Sequence, residues 1–542
     1  MSSAALQDAI SHEAPLFVYR KWVINLIYPT QEAPSTMQYI STRGLCEPVH
    51  SAEAIRTGLA PDGGLYVPDQ IPQVSLDDIV AMSQKTYAER ALSILSLYLT
   101  DYDVRELSEA IDTIYGDHEE ESRFQPEPAP LVQLNQYNEQ EYILELWHGP
   151  SAAFKDLALQ LLPYLMTTAN NKSDHTRRPC VLTATSGDTG KATLEGFRDI
   201  PGTQAIVFYP NDGISDMQKL QMITQEGDNC HVVAIEGTFD DAQRAVKQLF
   251  MDEELSEQLK KENFYLTSAN SINWGRLVPQ IVYYFSAYAD LLRLNRIEPG
   301  ENINFVVPTG NFGNILAGWY AFRMGLPINK LICASNRNNI LSDFIRNGHY
   351  DKRRPFYKTN APSMDILISS NLERLLFELT DRSGEIVREH MRDLAEQGHY
   401  QIDAPMLKRL QSLFVGGFAD DKGTLRMIRE VYDRCDHVID THTAVGFNVY
   451  GRYRLRSNDE AKTVFVSTAS PFKFPEAVSD ALFGKGYANG RSLDTLLDEL
   501  AAESGLTLPV SLQQLSSKQV NHHLIIPIEQ IRETVRNILI NE

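Results

Sequence analysis

From about residue 130 onward, short apolar runs alternate with amphipathic stretches. Tyr142–Leu146, Val181–Thr185, Ala205–Tyr209, Val232–Ile235, Ile303–Val307 and Val464–Ser467 read as strands. Between them Phe154–Ala169, Gly190–Arg198, Asp240–Lys261 and a stretch after the Ile303–Val307 strand, ending at Met324, carry helical spacing. This alternation predicts parallel βαβ units in a layered α/β fold. In such sheets ligands collect at the carboxyl ends of strands, where helices begin. Upstream, helical patterns cover Leu76 to Tyr115 and follow a turn-rich stretch in which Pro61-Asp62-Gly63-Gly64 signals a reversal. Pro126, Pro128 and Pro130 resist helix and central strand alike, so they mark a boundary. Leu341 to Asp433 predicts mostly charged helix. Ser492 to Glu542 predicts amphipathic helix with a short β-like stretch at Leu524–Ile526.

These changes of texture divide the chain. Residues 1–36 form an extension expected to be poorly ordered, with Met37 a plausible alternative initiator. Residues 37–126 form an N-terminal subdomain. Residues 127–340 and 434–490 make a two-lobed α/β core, 341–433 a helical insertion, and 491–542 a tail packing on the core. The apolar stretch Trp22–Tyr28 is too short to span a bilayer.

Composition narrows the function classes. Of 542 residues 43% are apolar and 22% charged, which are globular values. A formal charge of −21 disfavours nucleic acid or an anionic membrane as main partner, since both need a cationic face. Cys46, Cys180, Cys230, Cys333 and Cys435 are scattered without a C-x-x-C pair, so no disulfide scaffold or structural zinc site is indicated. The expectation is a reducing, cytoplasmic setting, with no metal.

Five constellations could carry chemistry. Pro308-Thr-Gly-Asn-Phe-Gly-Asn314 lies between a strand and a helix, where convergent backbone N–H groups and the helix dipole can hold a phosphate. It lacks the Gly-Lys-Ser/Thr ending of a Walker A loop. A plain turn is the alternative. Thr183-Ala-Thr-Ser-Gly-Asp-Thr-Gly190 follows the same plan and reads as a second, hydroxyl-rich anion pocket. In Glu145-Leu-Trp-His-Gly-Pro-Ser-Ala-Ala-Phe-Lys-Asp156, a lysine opens a helix. There the dipole and partial burial lower its pKa and favour the free amine of a Schiff-base nucleophile. An exposed lysine is the bland alternative. Thr267 to Arg276 groups hydroxyls, carboxamides and an arginine that could clamp a second phosphate, or cap the following helix. Val464 to Lys473 delivers Thr468 and Ser470 to a turn. His148 near Lys155 reads as packed or solvent-facing, and His437 and His442 lack a supporting acidic ligand for a metal.

Taken together, HGPSAAFKD (148–156), SGDTG (186–190), NSINWGR (270–276), PTGNFGN (308–314) and STASPFKFP (467–475) resemble threonine synthases, in family order. The start at Tyr39–Gly44 and GLAPDGGLYVP (58–68) resemble them too, specifically the long subgroup of fungi and many bacteria. Ser470 and Phe472 depart from the family pattern, where histidine and a small residue are expected. The resemblance implies a pyridoxal 5'-phosphate enzyme of fold type II, the tryptophan synthase β-like fold. It implies a carbon–oxygen lyase acting on phosphates that makes L-threonine from O-phospho-L-homoserine, the last step of threonine biosynthesis. It implies that Lys155 joins the cofactor as a Schiff base and acts as the catalytic residue. Gly310, Asn311, Phe312, Gly313 and Asn314 would cradle the cofactor phosphate, Thr468 would meet the pyridine nitrogen, and Asp188 would lie near the ring hydroxyl. Ser186, Gly187, Thr189 and Gly190 would line the substrate carboxylate, and Asn270, Ser271, Asn273 and Arg276 would receive its phosphate. A phospho-lyase giving 2-oxobutyrate and ammonia, or a silent binding protein on the same fold, are the alternatives. The partner expected is a small molecule, with the chain a monomer or weak homo-oligomer.

Overall fold

The computed structural model describes residues 36–118, 122–135, 138–172, 177–185, 187–212 and 214–540. The extension expected over 1–36 lies, Thr36 apart, outside them. Two sheets organise the rest. A five-stranded sheet runs in the order Ile525–Pro527, Cys230–Glu236, Gln204–Pro210, Arg178–Ala184, Phe264–Ser268, with every neighbouring pair parallel. A six-stranded sheet runs Phe414–Phe418, Ile328–Ser335, Ile303–Pro308, Thr463–Ser467, Asn138–Glu145, Leu131–Asn135. Its strands are parallel except Leu131–Asn135, which pairs antiparallel at the edge. Parallel strands are covered on both faces and so need continuous apolar runs. Ile303–Pro308 (INFVVP) meets this with all six residues buried.

The longest helix among the described residues, Trp274–Arg293, has 20 residues, and Trp274–Leu291 are all buried. Its first side chain anchors the N-terminal region. Trp274 packs against Tyr39 at 5.4 Å, Tyr98 at 5.6 Å and Tyr320 at 5.4 Å between ring centroids. Residues Met37–Glu542 accordingly form one compact unit.

Three expectations change. The helix expected over Phe154–Ala169 is two, Asp156–Leu159 and Leu162–Lys172. That expected over Asp240–Lys261 breaks at Asp252, whose carboxylate caps the second piece by accepting from the Leu255 amide. The segment 341–433 is not only a helical insertion. It supplies the edge strand Phe414–Phe418 to the six-stranded sheet and a wall of the cleft described below. Among the described residues the five cysteines are free, and no helix is long and apolar enough to cross a membrane.

Candidate active site

Five chain segments leave the carboxyl ends of their strands and converge. Lys155 follows Asn138–Glu145, Gly187–Thr189 follows Arg178–Ala184, and Asn270–Arg276 follows Phe264–Ser268. Thr309–Asn314 follows Ile303–Pro308, and Thr468 follows Thr463–Ser467. All five border one cleft of about 1030 Å³, counting solvent at its mouth. This is the position that a parallel sheet offers a ligand.

One side of the cleft carries a cationic pair around a carboxylate. Lys155 Nζ lies 3.4 Å from Asp188 Oδ2, and Ser363 Oγ donates to the same oxygen at 2.8 Å. Gln218 Nε2 donates to Oδ1 at 3.2 Å, and Lys473 Nζ stands 3.0 Å from it. Burial opposes ionisation of Asp188, but Lys473, Lys155, the Ser363 hydroxyl and His442 outweigh it and hold the carboxyl well below its usual range. Burial lowers the Lys155 amine. Asp188 pulls it up, while Arg276 and Lys473 push it further down. The amine is thus biased toward its neutral, nucleophilic form.

Another part of the lining is a turn suited to receive an anion. Phe312 adopts a left-handed conformation (φ +63°) with its ring buried against Phe414, and the helix Gly313–Arg323 starts immediately after it. The amides of Gly310–Asn314 find no acceptor among the described residues. Asn314 Oδ1 accepts from Tyr283 at 2.7 Å and Tyr284 at 2.8 Å, which leaves its buried Nδ2 without a partner. Gly310 cannot carry a side chain here, because a Cβ would sit 2.7 Å from the Ser363 carbonyl oxygen.

The third donor set is at Asn270, Ser271 and Arg276. Arg276 is 2% exposed, and one guanidinium arm donates to the Ala269 carbonyl while its Nε has no partner. Burial pushes this group down to about 10 against the pull of Asp156. A buried guanidinium with spare donors suits an oxyanion.

Most of the expected residues border this cleft: Lys155, Gly187, Asp188, Thr189, Asn270, Ser271, Arg276, Gly310–Asn314 and Thr468. Ser186 lies outside the described residues. Asn273 and Gly190 do not border it. Asn273 is fully buried, donating to the Ile55 and Ser268 carbonyls and capping the Trp274 helix through the Gly275 amide. Gly190 is packed so that a Cβ would meet Thr185 at 2.5 Å. The second loop is also less of an anion pocket than its composition suggests. Thr185 Oγ1 already accepts from the Gly187 and Gly190 amides.

Sequence reasoning missed Ser363–Ile366, His442, Gln218 and Lys473. Ser363 also donates its amide to His442 Nε2 at 3.1 Å, and His442 Nδ1 faces Asp440 at 3.0 Å. His442 is therefore part of the cleft wall, with no metal-ligand group among the described residues. Ser470 and Phe472, the two departures, are buried. Ser470 caps the short turn Pro471–Lys473.

Residues 123–403 match the family of pyridoxal-phosphate dependent enzymes, flanked by matches to the threonine synthase N terminus over 38–115 and the threonine synthase C-terminal family over 443–524. A threonine synthase of Pseudomonas aeruginosa is 38% identical over 490 residues, covering 90% of this chain and 98% of the relative. The chain belongs to the threonine synthase family. Within it, human threonine synthase-like 1 is 40% identical over 478 residues, but the chain spans only 62% of that relative's length. Two solved threonine synthases superpose closely. The pyridoxal-phosphate-bound enzyme of Brucella melitensis has a TM-score of 0.80 at 36% identity and covers 93% of this chain and 100% of its own. The yeast enzyme has a TM-score of 0.81 at 33% identity and covers 94% and 99%. The fold is therefore fold type II of the pyridoxal-phosphate enzymes. The site fits that cofactor on its own terms: a buried amine faces the cleft, and unspent amides with an orphaned Asn314 Nδ2 await a phosphate dianion.

Proposed function

We propose that the protein is a threonine synthase, a pyridoxal 5'-phosphate-dependent lyase that converts O-phospho-L-homoserine and water to L-threonine and phosphate. The observation that carries this reading is the shared cleft. The Lys155 amine, the open amides of Gly310–Asn314 and the Arg276 donor set all border it, so it offers one covalent anchor and two anion sites. A phosphorylated cofactor at the glycine turn and a phosphorylated substrate at Arg276 match that inventory, and the Gly187–Thr189 border remains for the substrate carboxylate.

The cofactor, when bound, supplies an electron sink for carbanions at the substrate Cα and Cβ. Lys155 would hold it covalently, Gly310–Asn314 would hold its phosphate, and Thr468 would face its pyridine nitrogen. Asp188 would accept from the ring hydroxyl. Lys155 Nζ, when not joined to the cofactor, would take the proton from Cα, and this requires the neutral amine that burial favours. Loss of a second proton from Cβ and of phosphate from Cγ would be followed by protonation at Cγ and addition of water at Cβ, and Lys155 Nζ would return its proton to Cα. Asn270, Ser271 and Arg276 orient the leaving phosphate by charge-assisted hydrogen bonds. Gly187 and Thr189 border the place for the substrate carboxylate. The Ser363–Ile366 wall borders the same cleft, and through Ser363 it holds the Asp188 carboxylate beside Lys155.

The deciding experiment supplies O-phospho-L-homoserine to the purified, cofactor-loaded protein. Threonine and phosphate are expected in equal amounts. Formation of 2-oxobutyrate and ammonia would replace this reading with the phospho-lyase, and no turnover would leave a binding protein.

A further inference from the structure

Two ammonium groups reach the single carboxylate of Asp188, and they are not equivalent. Lys473 is fully buried and has three acceptors: Asp188 Oδ1, the Ser151 carbonyl at 3.1 Å, and Gln221 Oε1. An ammonium has three donors and no acceptor, so this shell is filled by the charged form. Lys155 borders the cleft, and Asp188 Oδ2 at 3.4 Å is its one hydrogen-bond partner among the described residues. It must also share that oxygen with Ser363 Oγ, which stands closer at 2.8 Å. A buried carboxylate balances one ammonium, and the better-made contact belongs to Lys473.

We propose that Lys473 is the resident counter-ion of Asp188 and so a positioning residue for Lys155, leaving the Lys155 amine free to condense with an aldehyde, releasing water, and later to accept a proton. Lys473 does not itself border the cleft and touches no reacting atom. Its action is electrostatic: it occupies Asp188 and, as a second cation beside Lys155, directly disfavours the Lys155 ammonium. The other charged or titratable groups around the pair do not replace it. Arg276, from the Trp274–Arg293 helix, is a further cation. Asp365, in the cleft wall, is wrapped by donors from Asn336, Asn338 and Thr359. Asp156, on the helix that Lys155 opens, is raised by burial to about 7 and accepts from the Ser151 amide. His442, on the Thr441–Ser457 helix, accepts from Ser363.

This inference rests on Lys155 being the cofactor-bearing amine but not on which substrate is turned over. The test strips the cofactor and follows the return of the visible band on adding pyridoxal 5'-phosphate across a pH series. The acid limb of that rate reports the Lys155 amine. In Lys473→Met, Asp188 has Lys155 as its only ammonium, and the limb should move up by at least about one pH unit. The kcat–pH profile of the loaded enzyme should follow it. A limb that coincides with wild type, even with a lowered melting temperature, makes Lys473 a structural residue and overturns the proposal. Should Lys473→Met fail to fold, Asp188→Asn is compared with Asp188→Asn/Lys473→Met, in which the buried charges are removed together. The double variant should have the higher limb, because one repelling ammonium is gone; coincident limbs overturn the proposal. A wild-type protein that shows no band at any pH would instead sink the proposed function.

Discussion

The Thr309–Asn314 and Thr185–Gly190 loops look alike in sequence, each a hydroxyl-and-glycine turn from strand to helix, yet they do opposite work. In the first, the amides of Gly310–Asn314 are unspent, Phe312 is left-handed, and all five residues line the cleft. In the second, Thr185 Oγ1 consumes two of the amides, and the loop instead presents the Asp188 carboxylate. Glycine content therefore tells where a backbone can turn. Whether the turn binds an anion depends on whether its N–H groups are already satisfied.

The strongest way to break this contrast is to remove the amine that faces the carboxylate side. Lys155→Ala should lower turnover at least about 10³-fold, the scale of losing a nucleophile and base, and abolish the visible band. Uptake of the phosphorylated cofactor should persist in dialysis because the anion turn is untouched. Gly310→Ala attacks the other side. Its Cβ must displace the Ser363 carbonyl, so cofactor retention should fall roughly 10- to 100-fold, the equivalent of about 1.4 to 3 kcal/mol, as read by equilibrium titration. Arg276→Ala should raise KM for the phosphorylated substrate by about tenfold or more, with a smaller change in kcat, since a charge-assisted bond contributes about 1.5–3 kcal/mol.

Two smaller effects sharpen the comparison. Asp156 has a folded carboxyl raised to about 7 by burial, against an ordinary value near 4. Between those pH values the native state holds a proton that the unfolded chain has lost, so this group lowers stability as pH rises through the window. Asp156→Asn should raise the Tm at pH 8 and leave it unchanged at pH 4. Thr185→Val strips the acceptor from two buried amides and should cost about 1–3 kcal/mol in denaturant unfolding. Cofactor affinity should change far less than in Gly310→Ala.

Much of the site was legible because its residues sit beside punctuation. Lys155, Asp188, Arg276 and the 310–314 turn all follow apolar strands; Asp188 and Arg276 stand next to a glycine, the turn contains two, and Lys155 comes five residues after Gly149-Pro150. The strands themselves were legible where burial on both faces enforces apolar runs, as in Ile303–Pro308. Phe414–Phe418 was not read as a strand because Gly416 and Gly417 interrupt its pattern; a Cβ on Gly417 would meet Val449 at 2.5 Å. Ser363, His442 and Lys473 escaped for another reason. Their roles come from contacts across long sequence separations, such as the 175 residues from Ser363 to Asp188. Local periodicity carries no record of such pairings. Asn273 shows the converse error: a carboxamide in a donor-rich cluster reads as a ligand contact until its helix-capping bonds are seen.

The stretch from Ser363 to Asn371 has one further consequence. Ser363 holds Asp188, Ser369 donates to the Gly310 carbonyl, and the Asn371 amide and side chain both donate to the Asn311 carbonyl. The same nine residues thus brace the lysine's carboxylate and the glycine turn at once. A transplant of both loops onto a related scaffold lacking this brace would carry over every recognisable motif and still misassemble the cavity.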